Sequence, residues 1–171
     1  MPSLTTEMLV IGGGSTGAGI ARDAALRGFK TILLDRGDLA TGTTGRYHGL
    51  LHSGGRYVVS DPHSATECAE ENAIIARIQA HAVERTGGYF VATHVDDPAW
   101  GDEWAKGATD TKVPFEEVSV TEVLKAEPRV NPKISRAFKV EDGSVDGWQL
   151  VWSAANSAKL YGAQILTYHR V

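Results

Sequence analysis

The chain of 171 residues is long enough for one domain with a sizeable core, or for a domain and part of a second. Its 42% hydrophobic and 22% charged residues are typical of a globular protein, and the net charge of −4 gives no basis for nucleic-acid binding. No apolar run is long enough to span a bilayer, the first residues lack the basic, apolar and cleavage segments expected of a signal peptide, and one cysteine, Cys68, excludes an internal disulfide framework.

The first element along the chain is a short apolar strand that runs into a glycine turn and a helix. Gly12, Gly14 and Gly17 have the G-x-G-x-x-G spacing, in which glycines make the tight turn, let backbone approach a pyrophosphate and let helix and strand pack closely. The helix predicted over residues 18–26 ends at Gly28, and its N-terminal dipole favours a phosphate. A βαβ unit without a nucleotide is the alternative.

A second apolar strand, predicted over Thr31–Leu34, ends at Asp35, 18 residues after Gly17. A carboxylate at this place can accept hydrogen bonds from the ribose hydroxyls of an adenine dinucleotide. The sequence therefore predicts a dinucleotide-binding βαβ unit.

Residues 36–57 follow the second strand and contain five glycines after residue 41. This composition suits a backbone that lies close to a polar ligand. A flexible surface loop is the alternative, although Leu50, Leu51 and Tyr57 provide apolar anchors that a solvated linker lacks.

The remaining elements are predicted from capping residues and apolar periodicity. Asp61 and Pro62 begin a helix, and Asp146 caps another helix over residues 147–161. The buried side of that last helix is predicted to consist of Trp148, Val151, Trp152, Ala155, Ala158 and Leu160. Strands are predicted over residues 89–93, 137–140 and 163–168, and short helices after Pro98 and over residues 121–127.

Four stretches carry a family resemblance: IGGGSTGAGIARDAALRG from residue 11, ATGTTGRYHGLLHSG from residue 40, VEDGSVD from residue 140 and GAQILT from residue 162. They resemble the N-terminal part of FAD-dependent glycerol-3-phosphate dehydrogenases, most of all the catalytic subunit of the anaerobic enzymes. The second stretch is far more specific than the glycine spacing. The resemblance implies an N-terminal fragment, because chains of this family continue far beyond residue 171.

The resemblance implies roles for individual residues. The residues that it assigns to the FAD site are Gly12, Gly14, Ser15, Thr16, Gly17, Asp35, Arg36, Thr43, Thr44, Gly45, His48, Gly49, Leu51 and Val171. The glycines of the turn would hold the pyrophosphate, and Asp35, where the family more often has Glu, would bind the adenosine ribose. It assigns His52, Arg56 and Tyr57 to catalysis, with Arg56 holding phosphate oxygens. A structural pairing of Arg56 with a backbone carbonyl is the alternative, and no metal site is expected.

The implied fold is α/β, with a Rossmann-like FAD-binding domain of the glutathione-reductase/D-amino-acid-oxidase type and the start of a substrate domain. Residues 1–88 and 142–171 would form the FAD-binding domain, which is incomplete in this truncated chain, and residues 89–141 would begin the substrate-binding domain.

The implied activity is oxidation of sn-glycerol 3-phosphate to dihydroxyacetone phosphate, with electrons passed through FAD to a quinone or a partner subunit. The expected location is the cytoplasm, with membrane contact only peripheral, on the inner face of the cell membrane. A related FAD-dependent 2-hydroxy-acid oxidase, such as 2-hydroxyglutarate oxidase, and a non-catalytic dinucleotide-binding module are the alternatives.

Overall fold

The computed structural model describes residues 4–171, which form two compact units. The first unit is the chain up to Gly49 together with Val145–Val171, and the second is Leu50–Ser144. Residues 50–88 belong to the second unit because Ala65 and Ala69 pack into a core built around Trp104. The sequence-based division instead assigns residues 50–88 to the FAD-binding domain, and this functional division stays a prediction.

The predicted strands and helices are present in the predicted order, with shifts at their ends, and four further short strands are present that the sequence did not predict. In chain order they are β1 (Met8–Ile11), α1 (Ser15–Leu26), β2 (Thr31–Leu34), β3 (Leu50–Leu51), α2 (Pro62–Ile78), β4 (Val83–Glu84), β5 (Gly88–Thr93), α3 (Trp100–Asp110), β6 (Phe115–Val118), α4 (Val120–Ala126), β7 (Ile134–Val140), β8 (Gly143–Val145), α5 (Gly147–Leu160) and β9 (Gln164–Leu166). The helix predicted over residues 18–26 begins earlier, at Ser15, immediately after the glycine turn.

The first unit contains a parallel sheet in the order β1-β2-β9. Val10 lies opposite Leu33, and Leu33 lies opposite Ile165. A parallel pair needs a crossover connection, and α1 supplies it between β1 and β2. The residues buried in this core are Val10, Ala18, Ala21, Ala25, Leu33, Leu39, Ala40, Val151, Ala154, Ala155, Ala158 and Ala163.

The second unit contains an antiparallel sheet in the order β5-β7-β6 and a small sheet in the order β3-β8-β4. Phe90 lies opposite Phe138 across β5 and β7. Trp104 of α3 stacks on Phe138 with ring centroids 4.8 Å apart, and it meets Phe115 edge to face at 5.4 Å. Aromatic side chains therefore fill the main core of this unit.

The two predicted helix caps are confirmed. The Asp61 carboxylate accepts hydrogen bonds from the backbone N–H and the hydroxyl of Ser64, at 3.1 and 2.6 Å. The Asp146 carboxylate accepts from the backbone N–H groups of Trp148 and Gln149, at 2.9 and 3.0 Å. These bonds favour the ionised form and lower the pKa of both carboxyl groups.

The prediction of the buried side of α5 is wrong at its two ends. Trp148 is 52% exposed and Leu160 is 86% exposed. The buried stripe runs through Val151, Ala155 and Ala158, and Leu160 lies two residues, or about 200°, beyond its last member. Trp148 instead stacks on Trp152 with ring centroids 5.1 Å apart.

Candidate functional site

The glycine turn of the first unit places bare backbone at the start of α1. Gly12 has φ +110°, and its N–H donates to the carbonyl of Leu34 at 2.8 Å. A Cβ added at Gly17 would lie 1.8 Å from the Gly12 carbonyl oxygen, so no side chain fits there. Gly14 is the N-cap of α1 and has no side chain that could accept from the N–H groups of the first turn. The turn thus has the backbone geometry that binds a phosphate group at a helix N-terminus.

Asp35 follows β2 and contacts the glycine turn directly. One carboxylate oxygen accepts from the N–H of Gly13 at 2.6 Å, and the other accepts from the N–H of Gly37 at 2.8 Å. A carboxylate has about four lone-pair sites, so these two bonds leave acceptor capacity for ribose hydroxyls. The sequence predicts Asp35 as a ribose ligand, which stays a prediction, but it did not predict the bonds to the two backbone amides.

The segment after Asp35 folds back onto the glycine turn. Thr43–Gly45 form a 3₁₀ turn, and the Thr44 hydroxyl oxygen accepts from the backbone N–H of Ser15 at 3.0 Å. The N–H of Ala40 donates to the carbonyl of Gly13 at 2.9 Å. These bonds contradict the alternative of a flexible surface loop for this part of the segment.

Hydrogen bonds join Tyr47 and Gly49 to Val145, two residues before α5. Its hydroxyl donates to the carbonyl of Val145, and burial is the main cause of the raised pKa of this phenol. The phenol therefore remains a donor at neutral pH. The carbonyl of Gly49 accepts from the N–H of Val145 at 2.8 Å, which also fixes the position of neighbouring His48.

Three clefts of the first unit adjoin at Asp35. One of about 390 Å³ runs along the glycine turn to Thr44, and one of about 370 Å³ extends to His169 and Val171. The third, of about 740 Å³, extends to Arg46. These volumes lie in the range of ligand sites in proteins. The predicted FAD-site residues that line them are Gly12, Gly14, Ser15, Thr16, Gly17, Asp35, Arg36, Thr43, Thr44 and Val171.

The other predicted site residues are distributed over both units. Gly45, His48 and Gly49 belong to the first unit, whereas Leu51, His52, Arg56 and Tyr57 belong to the second. The side chain of Arg56 is exposed, and its guanidinium carbon lies 5.9 Å from the ring centroid of Tyr57. Tyr57 is half-buried and packs against the aromatic core of the second unit. The catalytic roles of these side chains stay predictions.

Asp142, which sequence reasoning did not single out, lies beside the predicted catalytic residue His52. One of its carboxylate oxygens accepts from both the backbone N–H and the hydroxyl of Ser53, at 2.7 and 2.6 Å. The other oxygen lies 3.5 Å from Nδ1 of His52. The sequence that follows β7 predicts only a turn, and Asp142 is recognised only because the structure places its carboxylate beside a predicted catalytic histidine.

Nothing among residues 4–171 forms a helix of the length and hydrophobicity needed to cross a bilayer.

The turn, the helix N-terminus and the acidic residue after β2 define a dinucleotide-binding unit. Residues 7–171 match the family model of the FAD dependent oxidoreductases (DAO), and the chain belongs to this family. The predicted fold class and the prediction of FAD as the cofactor are thereby confirmed.

Sequence comparison with individual proteins shows a closer similarity than the family model does. The chain is 49% identical over 165 residues to an anaerobic glycerol-3-phosphate dehydrogenase chain of Haloferax volcanii, covering 96% of this chain and 28% of the relative. It is 46% identical over 169 residues to the corresponding chain of the anaerobic glycerol-3-phosphate dehydrogenase of Escherichia coli strain K12, covering 99% of this chain and 31% of the relative. The predicted resemblance is confirmed, and the chain spans less than a third of the length of these two relatives.

A solved structure supports the fold. L-proline dehydrogenase from P. horikoshii matches with a TM-score of 0.87, covering 100% of this chain and 46% of that chain, at 21% identity. At this identity the match shows the fold alone, so it carries no information about the substrate.

Proposed function

We propose that the gene product containing this chain oxidises sn-glycerol 3-phosphate to dihydroxyacetone phosphate with FAD, and passes the electrons to a quinone or a partner subunit. The observation that carries the proposal is the identity of 46–49% to relatives named anaerobic glycerol-3-phosphate dehydrogenase, over 96–99% of this chain. The matched 96–99% of the chain includes both the glycine turn and the segment with His52 and Arg56. The activity is proposed for the complete gene product, because the two relatives are much longer than this chain.

The first unit fits the cofactor. The close approach of Gly17 to Gly12 keeps side chains away from the turn, and the dipole of α1 favours the pyrophosphate there. Asp35 retains lone pairs for the ribose, and the cleft that reaches Val171 offers a site for the adenine. FAD, when bound, supplies the acceptor for the hydride that leaves C2 of the substrate.

The second unit supplies the polar side chains proposed to act on the substrate. The Arg56 guanidinium is exposed, so it can form two parallel hydrogen bonds with phosphate oxygens. His52 accepts the proton of the C2 hydroxyl at Nε2, since its other ring nitrogen faces the Asp142 carboxylate. Tyr57 holds the Arg56 side chain through the contact of the guanidinium with its ring.

Anaerobic mixing of the purified complete gene product with glycerol 3-phosphate tests the proposal. We expect the visible flavin absorbance to bleach as the flavin is reduced, and dihydroxyacetone phosphate to form in equal amount. 2-Hydroxyglutarate and uncharged glycerol serve as comparison substrates. Bleaching by 2-hydroxyglutarate alone would favour the alternative oxidase, and a purified protein without flavin would contradict the proposal.

The electron acceptor and the location form the remaining part of this proposal. We expect turnover with a soluble quinone analogue, and we propose a cytoplasmic protein with peripheral contact with the inner face of the cell membrane. Fractionation of cells at low and high salt tests this contact, because a peripheral attachment based on charge weakens as salt rises.

A further inference from the structure

The carboxylate of Asp142 has two different partners within the second unit. Oδ1 accepts from the backbone N–H and the hydroxyl of Ser53, whereas Oδ2 lies 3.5 Å from Nδ1 of His52. Ser53 is 2% exposed, and the side chains of His52 and Asp142 are 23% and 13% exposed. The first oxygen therefore anchors the carboxylate, and the second faces the imidazole in a largely desolvated place.

The surrounding backbone keeps this arrangement in place. Leu51 pairs with Gly143 across β3 and β8, directly before His52 and directly after Asp142. The side-chain amide of Asn72 in α2 donates to the carbonyl of Leu51 at 3.1 Å. The segments carrying the two side chains are thus joined by strand pairing and by a side-chain bond, so the carboxylate cannot easily turn away from the ring.

We propose that Asp142 is a positioning residue that holds His52 in the tautomer with the proton on Nδ1. An unprotonated Nδ1 would place its lone pair against a carboxylate oxygen 3.5 Å away, which is electrostatically unfavourable. A proton on Nδ1 turns the same contact into an attraction and leaves Nε2 as the nitrogen that can accept a proton. Neutral histidine in water favours the other tautomer, so the structure selects the form that a general base needs at Nε2. The use of Nε2 in catalysis rests on the proposed function, whereas the tautomer does not.

A second histidine–carboxylate contact in the chain has a similar distance but lies in a more exposed environment. Nδ1 of His63 lies 3.6 Å from a carboxylate oxygen of Glu67, nearly the same distance, but the two side chains are 82% and 65% exposed. Water screens this second contact, so it should fix no tautomer. The comparison isolates the effect of burial and anchoring from the effect of distance.

Nitrogen NMR of the imidazole rings tests the proposal directly. The complete gene product is labelled with ¹⁵N-histidine, and long-range ¹H–¹⁵N spectra are recorded at about pH 8, where histidine is ordinarily neutral. The His52 signals are assigned by their loss in His52→Gln. We expect His52 to favour the Nδ1–H tautomer by about tenfold or more, because Nδ1 faces a charged carboxylate oxygen in a place largely shielded from water. His63 should show the tautomer mixture of a solvent-exposed histidine.

Asp142→Asn gives the sharpest variant. The amide keeps an oxygen that Ser53 can donate to, and it turns an NH₂ group toward His52, so the preferred tautomer should invert to Nε2–H. Glu67→Gln is the matched control and should leave the His52 signals unchanged. Ser53→Ala keeps the carboxylate beside the ring and should retain the Nδ1–H tautomer.

The NMR measurement on the unsubstituted protein is enough to contradict the inference, so the test does not depend on whether the variants fold. A dominant Nε2–H tautomer at His52, or an Asp142→Asn spectrum with the Nδ1–H tautomer retained, contradicts it. In the complete gene product, Asp142→Asn should lower kcat for glycerol 3-phosphate by at least about tenfold while KM changes less than about threefold. Absence of glycerol 3-phosphate oxidation with the expected tautomer in place would refute the proposed function and leave the tautomer assignment standing.

Discussion

The cores of the two units are built from side chains of different size, and the reason why a glycine is needed differs between the two units. In the first unit α1 and α5 pack through alanines, namely Ala18, Ala21, Ala25, Ala154, Ala155 and Ala158, all of them buried. In the second unit Trp104 contacts Phe90, Phe115 and Phe138 with ring centroids 4.8–5.4 Å apart. Small side chains let helices and backbone approach closely. Aromatic rings occupy more volume, so the residues next to them must be small.

This difference explains why glycine is needed at Gly17 and at Gly55, which lie in two glycine-rich stretches of similar composition. Gly17 is required because the backbone of Gly12 passes next to it, beside an open cleft. Gly55 is required because a Cβ there would lie 2.6 Å from the Phe90 ring and 3.2 Å from the Trp104 ring. In this chain, Gly17 combines close backbone packing with a place in the lining of a cleft, whereas Gly55 is explained by packing against two aromatic rings.

The largest expected effect is that of Gly17→Ala. The added Cβ would lie 1.8 Å from a backbone oxygen, so β1 and α1 must separate. We expect a loss of at least about 4 kcal/mol in the free energy of unfolding and loss of bound FAD. The ratio of flavin to protein absorbance and urea unfolding of the complete gene product measure both.

Gly19→Ala is the matched control in the same helix. No atom lies within 4 Å of its added Cβ apart from the helix backbone and the adjoining residues, so the substitution should stabilise α1 by about 0.5–1 kcal/mol. If both variants kept their flavin, the close approach in the turn would not be what defines the cofactor site.

Gly55→Ala tests the packing cause in the second unit. We expect a loss of about 1–3 kcal/mol in unfolding free energy, because buried rings must move, with flavin content kept near normal. Gly101→Ala is a comparison variant: the added Cβ would meet the Arg136 side chain, which must shift and weaken its exposed ion pairs, and this should cost about 1 kcal/mol or less. Loss of flavin in Gly55→Ala with unchanged stability would give Gly55 a ligand-binding role instead.

Local chemistry made much of the fold predictable. The glycine spacing, the Asp61-Pro62 pair and the Asp146 cap each act within a few residues, and the structure confirms the elements that they begin. The buried face of α5 was harder to predict, because Trp148 is apolar but lies at the edge of a stripe whose position is set by packing against α1.

Contacts between distant residues were not predictable from one sequence. Asp142 and Ser53 are separated by 89 residues, and Gly13 and Asp35 by 22. Their hydrogen bonds exist only after the strands have paired, so no local pattern specifies them. For the same reason the family resemblance predicts a catalytic role for His52 but gives no sign of the carboxylate beside it.

Arg56→Lys separates a ligand role from the packing role of its neighbour Gly55. Lysine keeps the charge but cannot hold a phosphate bidentately, so kcat/KM for glycerol 3-phosphate should fall about tenfold, or ~1.4 kcal/mol. Stability should hardly change because the Arg56 side chain is exposed, and activity on uncharged glycerol should fall much less. An equal loss on both substrates, or a joint loss of flavin, would show that Arg56 is structural.

The smallest expected effect lies at the charged rim of the aromatic core. Arg136 contacts both oxygens of the Glu117 carboxylate, at 2.7 and 3.0 Å, while its guanidinium lies 5.1 Å from the centroid of Phe138. The hydrogen bonds to Arg136 lower the pKa of Glu117 below its ordinary value near 4.5. A lowered pKa in the folded state means that this stabilisation is complete above about pH 4.5 and is lost as pH falls through the folded value.

The Glu117 side chain is 47% exposed, so solvent screening limits the effect of Glu117→Gln to less than about 1 kcal/mol at neutral pH. The difference from the unsubstituted protein should vanish in acid, where Glu117 is protonated. Urea unfolding across this pH range measures it, with Glu70→Gln as an exposed control in α2. A loss well above 1 kcal/mol, or one that persists in acid, would mean that the aromatic core depends on its charged rim, and the contrast between the two units would then rest on charge as well as on side-chain size.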